Sequence, residues 1–219
     1  MNRAEEIVAR LRSLGDEKNR EGMARYGINT ARACGVPVRV IRGLAMQVHR
    51  DHALAQDLWK TGLHEARILA TVIADPARTA DPLLEAWAAD IDSWDLCDQF
   101  CQNLVWRTRY AWTKAEEWTD RPEEFVRRAA FVTQAVLARK EHDALPAQFL
   151  SFLPLIRRAA GDERRIVRKA VAWALKNVGQ RSDDLRQAAL ALADELAASA
   201  DKHAASVGKE AKRKIVKGK

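Results

Sequence analysis

Apolar residues recur every three or four positions along almost the whole chain, which is the spacing of one face of an α-helix. Short breaks at Pro, Gly or Asp separate the periodic segments, and these residues commonly end or begin helices. The clearest segments are GLHEARILATVIAD, SWDLCDQFCQNLVW, RPEEFVRRAAFVTQAVLARK and DERRIVRKAVAWALKNVG. No segment shows a convincing strand pattern, so the sequence predicts an all-α fold.

Two of the predicted helices resemble each other. VRRAAFVTQAVLA begins at Val126 and VRKAVAWALKNVG begins 41 residues later at Val167. This offset is close to the ~40–47 residues of a HEAT or armadillo unit, in which paired helices stack into a curved solenoid. We therefore predict a HEAT-like or armadillo-type helical repeat solenoid over residues 1–200, with a concave face that suits an elongated partner.

The net charge of +7 is concentrated at the end of the chain. Residues 202–219 hold seven Lys and Arg and one acid, Glu210, so this segment alone contributes +6. Its apolar content is low, which predicts that residues 201–219 form a mobile basic tail. Two roles are open for such a tail, a solubilising end or non-specific attraction to phosphates.

Several functional classes lack their sequence signals. The N-terminal MNRAEEIVARLRSLG mixes charged with apolar residues, unlike a signal peptide, and no later stretch is long enough to span a membrane. We therefore expect a cytoplasmic protein, in the bacterial cytosol or nucleoid. We also expect it to be a monomer. Cys34, Cys97 and Cys101 lack CxxC spacing, and Cys97 and Cys101, one helical turn apart, are interpreted as buried thiols.

Metal and nucleotide motifs are also missing. There is no P-loop, GxGxxG, HExxH or zinc-deaminase signature, and the single pair His64-Glu65 is interpreted as structural. We predict that the protein uses no metal and no other cofactor.

The helix predicted for SWDLCDQFCQNLV carries a carboxylate in an unusual position. Asp92 and Ser93 suit an N-cap, and Asp95 suits the first turn, where the helix dipole favours an acid. Asp98 lies too deep to cap and shares a helical face with Trp94. A carboxylate beside an indole is costly unless it is paired or used. Asp98 is therefore either a functional acid or one half of a salt bridge to the next helix.

A later helix carries an aromatic residue among cations. The pattern predicts that this helix starts at a cap on Asp162 and stops at Gly179. Trp173 falls off its buried stripe and lies on the same side as Arg165, Lys169 and Lys176. Cations interleaved with an aromatic ring suit a sugar-phosphate backbone. The alternative is an indole half-covered by lysine stems.

An arginine borders the stripe predicted for EEFVRRAAFVTQ. Arg128 lies at the edge of the apolar positions, where its planar fork could bind a phosphate or a carboxylate. An ion pair with an acid of a neighbouring repeat is the alternative. The stripe itself consists of Phe125, Ala129, Val132 and Val136.

Four blocks, HEARILA, SWDLCD, EFVRRAAF and DERRIVRKAVAWALKNVG, resemble in sequence and order the AlkD family of HEAT-like DNA alkylation repair proteins. The resemblance runs roughly from Gly22 to Gly179. That family places its catalytic and DNA-contacting positions on a Trp-x-x-x-Asp pair, an arginine in the following repeat and a later tryptophan. The matching residues here are Trp94, Asp98, Arg128 and Trp173, with Arg127 as the alternative arginine and Tyr26 as a further DNA contact.

The resemblance implies a monofunctional DNA glycosylase that removes N3- and N7-alkylated purines, such as 3-methyladenine and 7-methylguanine, from duplex DNA. It implies contacts to the backbone around the lesion without flipping of the base into a deep pocket. Asp98 would stabilise the sugar cation, and Trp94 and Trp173 would brace the sugar. DNA-binding positions would be Arg128, Lys169, Lys176, Arg165 and Tyr26. The alternatives are a non-catalytic DNA-binding module and a protein-interaction scaffold.

Overall fold

The computed structural model describes residues 2–218, which form two compact helical units, the first ending at Arg109 and the second beginning at Tyr110. Helices and short turns make up both units, and no β-strand occurs among the described residues. The predicted all-α fold is confirmed. None of the helices within residues 2–218 is both long and apolar enough to cross a membrane.

The first unit consists of seven α-helices and one short 3₁₀ turn at Val105–Arg107. These helices are α1 (Arg3–Ser13), α2 (Glu17–Arg25), α3 (Val38–Val48), α4 (His52–Lys60), α5 (His64–Ile73), α6 (Asp81–Ala89) and α7 (Trp94–Asn103).

The second unit contributes seven more helices and a 3₁₀ turn at Trp118–Asp120. They are α8 (Ala111–Glu117), α9 (Glu124–Lys140), α10 (Pro146–Leu150), α11 (Phe152–Ala159), α12 (Arg165–Gly179), α13 (Asp183–Ala197) and α14 (Lys202–Lys217).

Aromatic packing anchors α7 in the core of the first unit. The rings of Trp59 on α4 and Trp87 on α6 stack with their centroids 4.2 Å apart, and Phe100 of α7 packs at a tilt against both. Cys97 and Cys101 lie on the same buried face of α7, as predicted for thiols that serve as small core residues. The core therefore fixes which face of α7 can reach a groove or the solvent.

A buried carboxylate holds the loop between α2 and α3. Glu65 is fully buried and accepts hydrogen bonds from the backbone N–H groups of Cys34, Gly35 and Val36 at 2.7–3.2 Å. Gly35 has φ +82°, and a side chain there would collide with backbone atoms of Asp16 and Arg20. These contacts agree with a structural role for Glu65.

Helices of successive repeats pack side by side in the second unit. Helix α9 lies along α12, and α12 lies along α14. The side chain of Asn177 on α12 donates a hydrogen bond to the carbonyl oxygen of Ala135 on α9 at 3.2 Å. Arg181, in the turn after α12, donates to the carbonyl oxygen of Ala138 at 3.1 Å. These separations of 42 and 43 residues are close to the predicted repeat period.

Helix α12 begins later than predicted. The sequence places its cap at Asp162, whereas the helix starts at Arg165 and Arg164 occupies the N-cap position. The Asp162 side chain instead accepts hydrogen bonds from the backbone N–H and the guanidinium of Arg164. Gly179 ends the helix, as predicted.

The prediction of a mobile tail is wrong for the described residues. Residues 202–217 form helix α14, which packs on α12 and α13. Its apolar residues are few but fall at helical spacing on one face, and Gly208 sits so close to the α13 backbone that no side chain would fit there. The buried residues of this face are Ala204, Val207, Gly208, Ala211 and Ile215.

Candidate functional site

The first turns of α7 carry the predicted Trp-x-x-x-Asp pair in the first unit. Ser93 occupies the N-cap position in extended conformation, as predicted for one of two candidates, but its side chain makes no capping hydrogen bond. Trp94 is the first helical residue. Leu96 and Phe100 point into the core with no exposed surface. Trp94 and Asp98 therefore lie on another face of α7, where both are half-buried.

Backbone contacts fix the Trp94 ring. Its indole Nε1 donates a hydrogen bond to the carbonyl oxygen of Tyr26 at 3.0 Å. A second hydrogen bond connects the loop after α2 to the residues before α7, because Asn29 Nδ2 donates to Asp92 Oδ2 at 2.8 Å. The Tyr26 ring itself is 78% exposed, so the structure brings the backbone of Tyr26 to Trp94 and leaves its phenol available for contacts with a partner.

Trp94 and Asp98 line a groove of about 420 Å³ in the first unit. Its lining combines apolar side chains with an indole, an imidazole, carboxylates and amides. The apolar lining residues are Met23, Ile28, Val36, Pro37, Val38 and Ile68. A carboxylate in such surroundings interacts with a nearby cation more strongly than it would in bulk water.

A buried ion pair adjoins Asp98 in this groove. His64 Nε2 lies 2.9 Å from Asp95 Oδ2, and both residues line the groove. Burial opposes the charge of each group, but their mutual hydrogen bond and attraction outweigh it. The pKa of His64 is therefore raised and the pKa of Asp95 is lowered from their ordinary values. The sequence suggested only a helix-dipole role for Asp95, since nothing in it indicates contact with a residue 31 positions away.

Trp173 has a different setting on α12 in the second unit. It is half-buried and, together with Lys176, lines a groove of about 630 Å³. Within residues 2–218 the indole N–H of Trp173 has no hydrogen-bond partner. Trp173 is partly exposed whereas its neighbours Ala172 and Ala174 are buried, which agrees with the predicted position of Trp173 off the core stripe.

Arg128 differs from its predicted position at the edge of the α9 stripe. Its side chain is only 6% exposed, and its guanidinium donates to the carbonyl oxygen of Ile166 at 2.5 Å. The reason is that α9 is buried around most of its circumference, since α8 and α12 pack on it. Arg127, and not Arg128, forms the ion pair with an acid of a neighbouring repeat: its Nη1 lies 3.3 Å from Asp162 Oδ2.

The remaining predicted DNA contacts are cations of α12. Arg165 and Lys169 are exposed, and Lys176 is half-buried. Lys169 pairs with Glu210 of α14 at 2.9 Å. The sequence offered no partner for Lys169, because Glu210 lay in the predicted tail.

Residues 7–215 match the sequence profile of a family described as "DNA alkylation repair enzyme". The chain belongs to this family. The match includes most of α14, so the C-terminal helix is part of the family domain and continues beyond the resemblance that ended at Gly179.

A solved structure matches the fold of the chain. It is described as "A new family of proteins related to the HEAT-like repeat DNA glycosylases with affinity for branched DNA structures". The match has a TM-score of 0.79 and 18% sequence identity, and it covers 95% of this chain and 94% of the other. The likeness confirms the HEAT-like fold. No curated protein sequence matches the chain.

Proposed function

We propose that this protein is a monofunctional DNA glycosylase that hydrolyses the N-glycosidic bond of N3- and N7-alkylated purines in duplex DNA. The observation that carries the proposal is the position of Asp98, one helical turn after Trp94 and half-buried in a groove of the first unit. Membership of the DNA alkylation repair enzyme family supports it.

The chemistry needs a stabilised sugar cation more than a strong acid. Alkylation at N3 or N7 gives the purine a positive charge, so the base leaves with the bonding electron pair and becomes neutral. The positive charge moves to the sugar, which becomes oxocarbenium-like, and water then adds to its C1′ and loses a proton. The Asp98 carboxylate supplies the opposite charge and orients that water, in surroundings that strengthen its field.

The aromatic and basic residues have separate proposed roles. Trp94 of the first unit and Trp173 of the second each offer a ring face to deoxyribose and favour a developing positive charge there by about 0.5–2 kcal/mol. Arg165, Lys169, Lys176 and Tyr26 contact the sugar-phosphate backbone, whereas the buried Arg128 is bonded to the carbonyl oxygen of Ile166 and is not assigned a DNA contact. Backbone contacts position the duplex without reading the bases, so this mechanism does not require the base to be flipped into a pocket.

The test is release of the base. Purified protein is incubated with a duplex that contains one 7-methylguanine, and free base is measured by chromatography against time. We expect free base and an abasic strand that breaks only on later treatment with alkali, because the enzyme is monofunctional. Base release no faster than that of the Asp98→Asn protein would contradict the proposal.

The structural relative suggests a second candidate function, because it is described as having affinity for branched DNA. A protein of this kind would bind a four-way junction more tightly than a linear duplex and release no base. Binding of both DNAs, measured beside the excision assay, separates the two candidates.

A further inference from the structure

Helix α14 has an exposed face that consists almost entirely of cations. Five exposed residues recur at spacings of four, three, four and four, which places them on one side of the helix. Four of them are basic and none is acidic. At 1.5 Å per residue this row is about 22 Å long. We call it the α14 stripe, and it consists of Lys202, Ser206, Lys209, Arg213 and Lys217.

Packing holds the stripe outward. The opposite face of α14 is buried, with Gly208 against the backbone of α13. Ile215 is fully buried, and its Cδ1 lies beside Gly179 at the end of α12. Rotation of α14 would expose these residues and bury charges, so the cations of the stripe are presented from a fixed helix.

The cations of the stripe are not used within the fold, whereas their neighbours are. The only acid of α14, Glu210, accepts hydrogen bonds from Lys169 at 2.9 Å and Lys214 at 2.7 Å, and these contacts lower its pKa although burial opposes them. Lys212 bonds Asp194 of α13 at 2.5 Å. Among residues 2–218, none of the four stripe cations has an ion-pair or hydrogen-bond partner through its side chain.

A cleft of about 180 Å³ extends the stripe to the start of α12. Ser206 of the stripe lines it together with Arg165 and Lys169. Arg168 also lines the cleft, but its guanidinium is bound to the carbonyl oxygens of Asp162 and Glu163. Glu210 lines the cleft as well, where it pairs with Lys169 at 2.9 Å. The cleft therefore offers the Ser206 hydroxyl and the Arg165 guanidinium to a phosphate group, beside a lysine whose charge is shared with Glu210.

We propose that the α14 stripe and this cleft form a phosphate-binding track for the backbone of duplex DNA. The inference rests on the proposed function, which supplies duplex DNA as the partner. It replaces the predicted mobile tail by a fixed helical row of cations and names the residues that would contact phosphates. A rigid row of cations suits a regular polyanion. The stripe has no aromatic residue on which the bases of a single strand could stack. A membrane-bound amphipathic helix would need an available apolar face, and that of α14 is buried in the fold.

The test compares two double variants with equal loss of charge. K209Q/R213Q removes two stripe cations, and the control K212Q/R157Q removes two cations that pair with acids of α13. Binding of an undamaged duplex is measured by fluorescence anisotropy over a range of KCl concentrations. Each lost phosphate contact lowers the slope of log K against log [salt] by about 0.9. We expect the slope of K209Q/R213Q to be shallower by about 1.8, with an unchanged melting temperature and an unchanged slope in the control.

Three results would overturn the proposal. One is a K209Q/R213Q slope equal to that of the wild type. Another is an equal change in the control, since it would show an effect of net charge alone. The third is loss of binding to phosphatidylserine vesicles with duplex binding retained, which would assign the stripe to a membrane surface. Because the DNA is undamaged, these binding results do not depend on base release. If the protein released no base but its salt slope still fell in K209Q/R213Q, only the proposed glycosylase function would be contradicted.

Discussion

The two helical units differ sharply in charge. Residues 1–109 contain 15 basic and 15 acidic residues, whereas residues 110–219 contain 22 basic and 15 acidic residues, so the whole net charge belongs to the second unit. The neutral unit holds the groove with Trp94 and Asp98, and the basic unit holds the α14 stripe.

This difference separates two physical tasks. A carboxylate that stabilises a transient cation acts best where water is partly excluded, since a low dielectric strengthens its field. Cations that attract a polyanion act well in water, because binding releases the counterions of the DNA. Under the proposed function, the first unit supplies the catalytic carboxylate, and the second supplies most of the attraction to DNA in addition to Trp173. The following variants test this division, from the largest expected effect to the smallest.

Asp98→Asn should reduce the single-turnover rate of 7-methylguanine release by about 100- to 1,000-fold, because it removes an electrostatic contribution at nearly constant shape. Duplex affinity and melting temperature should change little. Asp92→Asn is the matched control, since Asp92 is exposed and bonded to Asn29. An equal loss in the control, or a normal rate in Asp98→Asn, would remove Asp98 from the mechanism.

Trp173→Ala should slow excision by about 2- to 30-fold, which corresponds to loss of a ring contact worth about 0.5–2 kcal/mol. Its cost in the free energy of unfolding should stay below the ~3–5 kcal/mol of a fully buried aromatic, because Trp173 is half-buried. Chemical denaturation and single-turnover excision on one preparation measure both effects. Severe destabilisation with normal excision per folded molecule would make Trp173 a core residue.

Ile215→Val should lower the free energy of unfolding by about 0.5–1.5 kcal/mol, since it deletes the methyl group that packs beside Gly179. The control Val216→Ala alters an exposed neighbour and should have almost no effect. Urea denaturation followed by circular dichroism provides the measurement. Equal midpoints for wild type and Ile215→Val would argue that α14 does not contribute to the folded second unit.

The smallest effect should be a pH dependence from the His64–Asp95 pair. The raised pKa of His64 means that its stabilisation is complete below its ordinary value of 6.5 and is lost as pH rises through the folded-state pKa. The lowered pKa of Asp95 means that its contribution is present above its ordinary value of 3.8 and is lost as pH falls further.

The unfolding free energy of the wild type should therefore exceed that of His64→Gln by the largest amount between pH 3.8 and pH 6.5, and the difference should shrink as pH rises from 6.5 through the raised folded-state pKa of His64. Because burial of both charges offsets much of their attraction, the effect is modest. Denaturation of both proteins from pH 5 to pH 9 measures it. The control His142→Gln changes an exposed histidine and should follow the wild-type profile; a constant difference for His64→Gln would contradict the charged pair.

Local patterns in the sequence predicted much of the candidate site. The placement of Trp94 and Asp98 together, and of Trp173 off the buried stripe, follows from helical spacing alone, because residues four apart share a face. Arg128 was placed less well. Its burial depends on how many helices pack around α9, and helical spacing within α9 contains no information on that number.

The sequence by itself determined the helical fold, the repeat period and the family blocks, since each depends on the order of residues within one or two helices. Tertiary structure decided the partners of charged residues distant in the chain, such as His64 with Asp95 and Lys169 with Glu210. It also decided that residues 202–217 fold as a helix. Helix α14 is too polar to be stable alone, and its small apolar residues gain burial only when α12 and α13 already provide a surface that fits them.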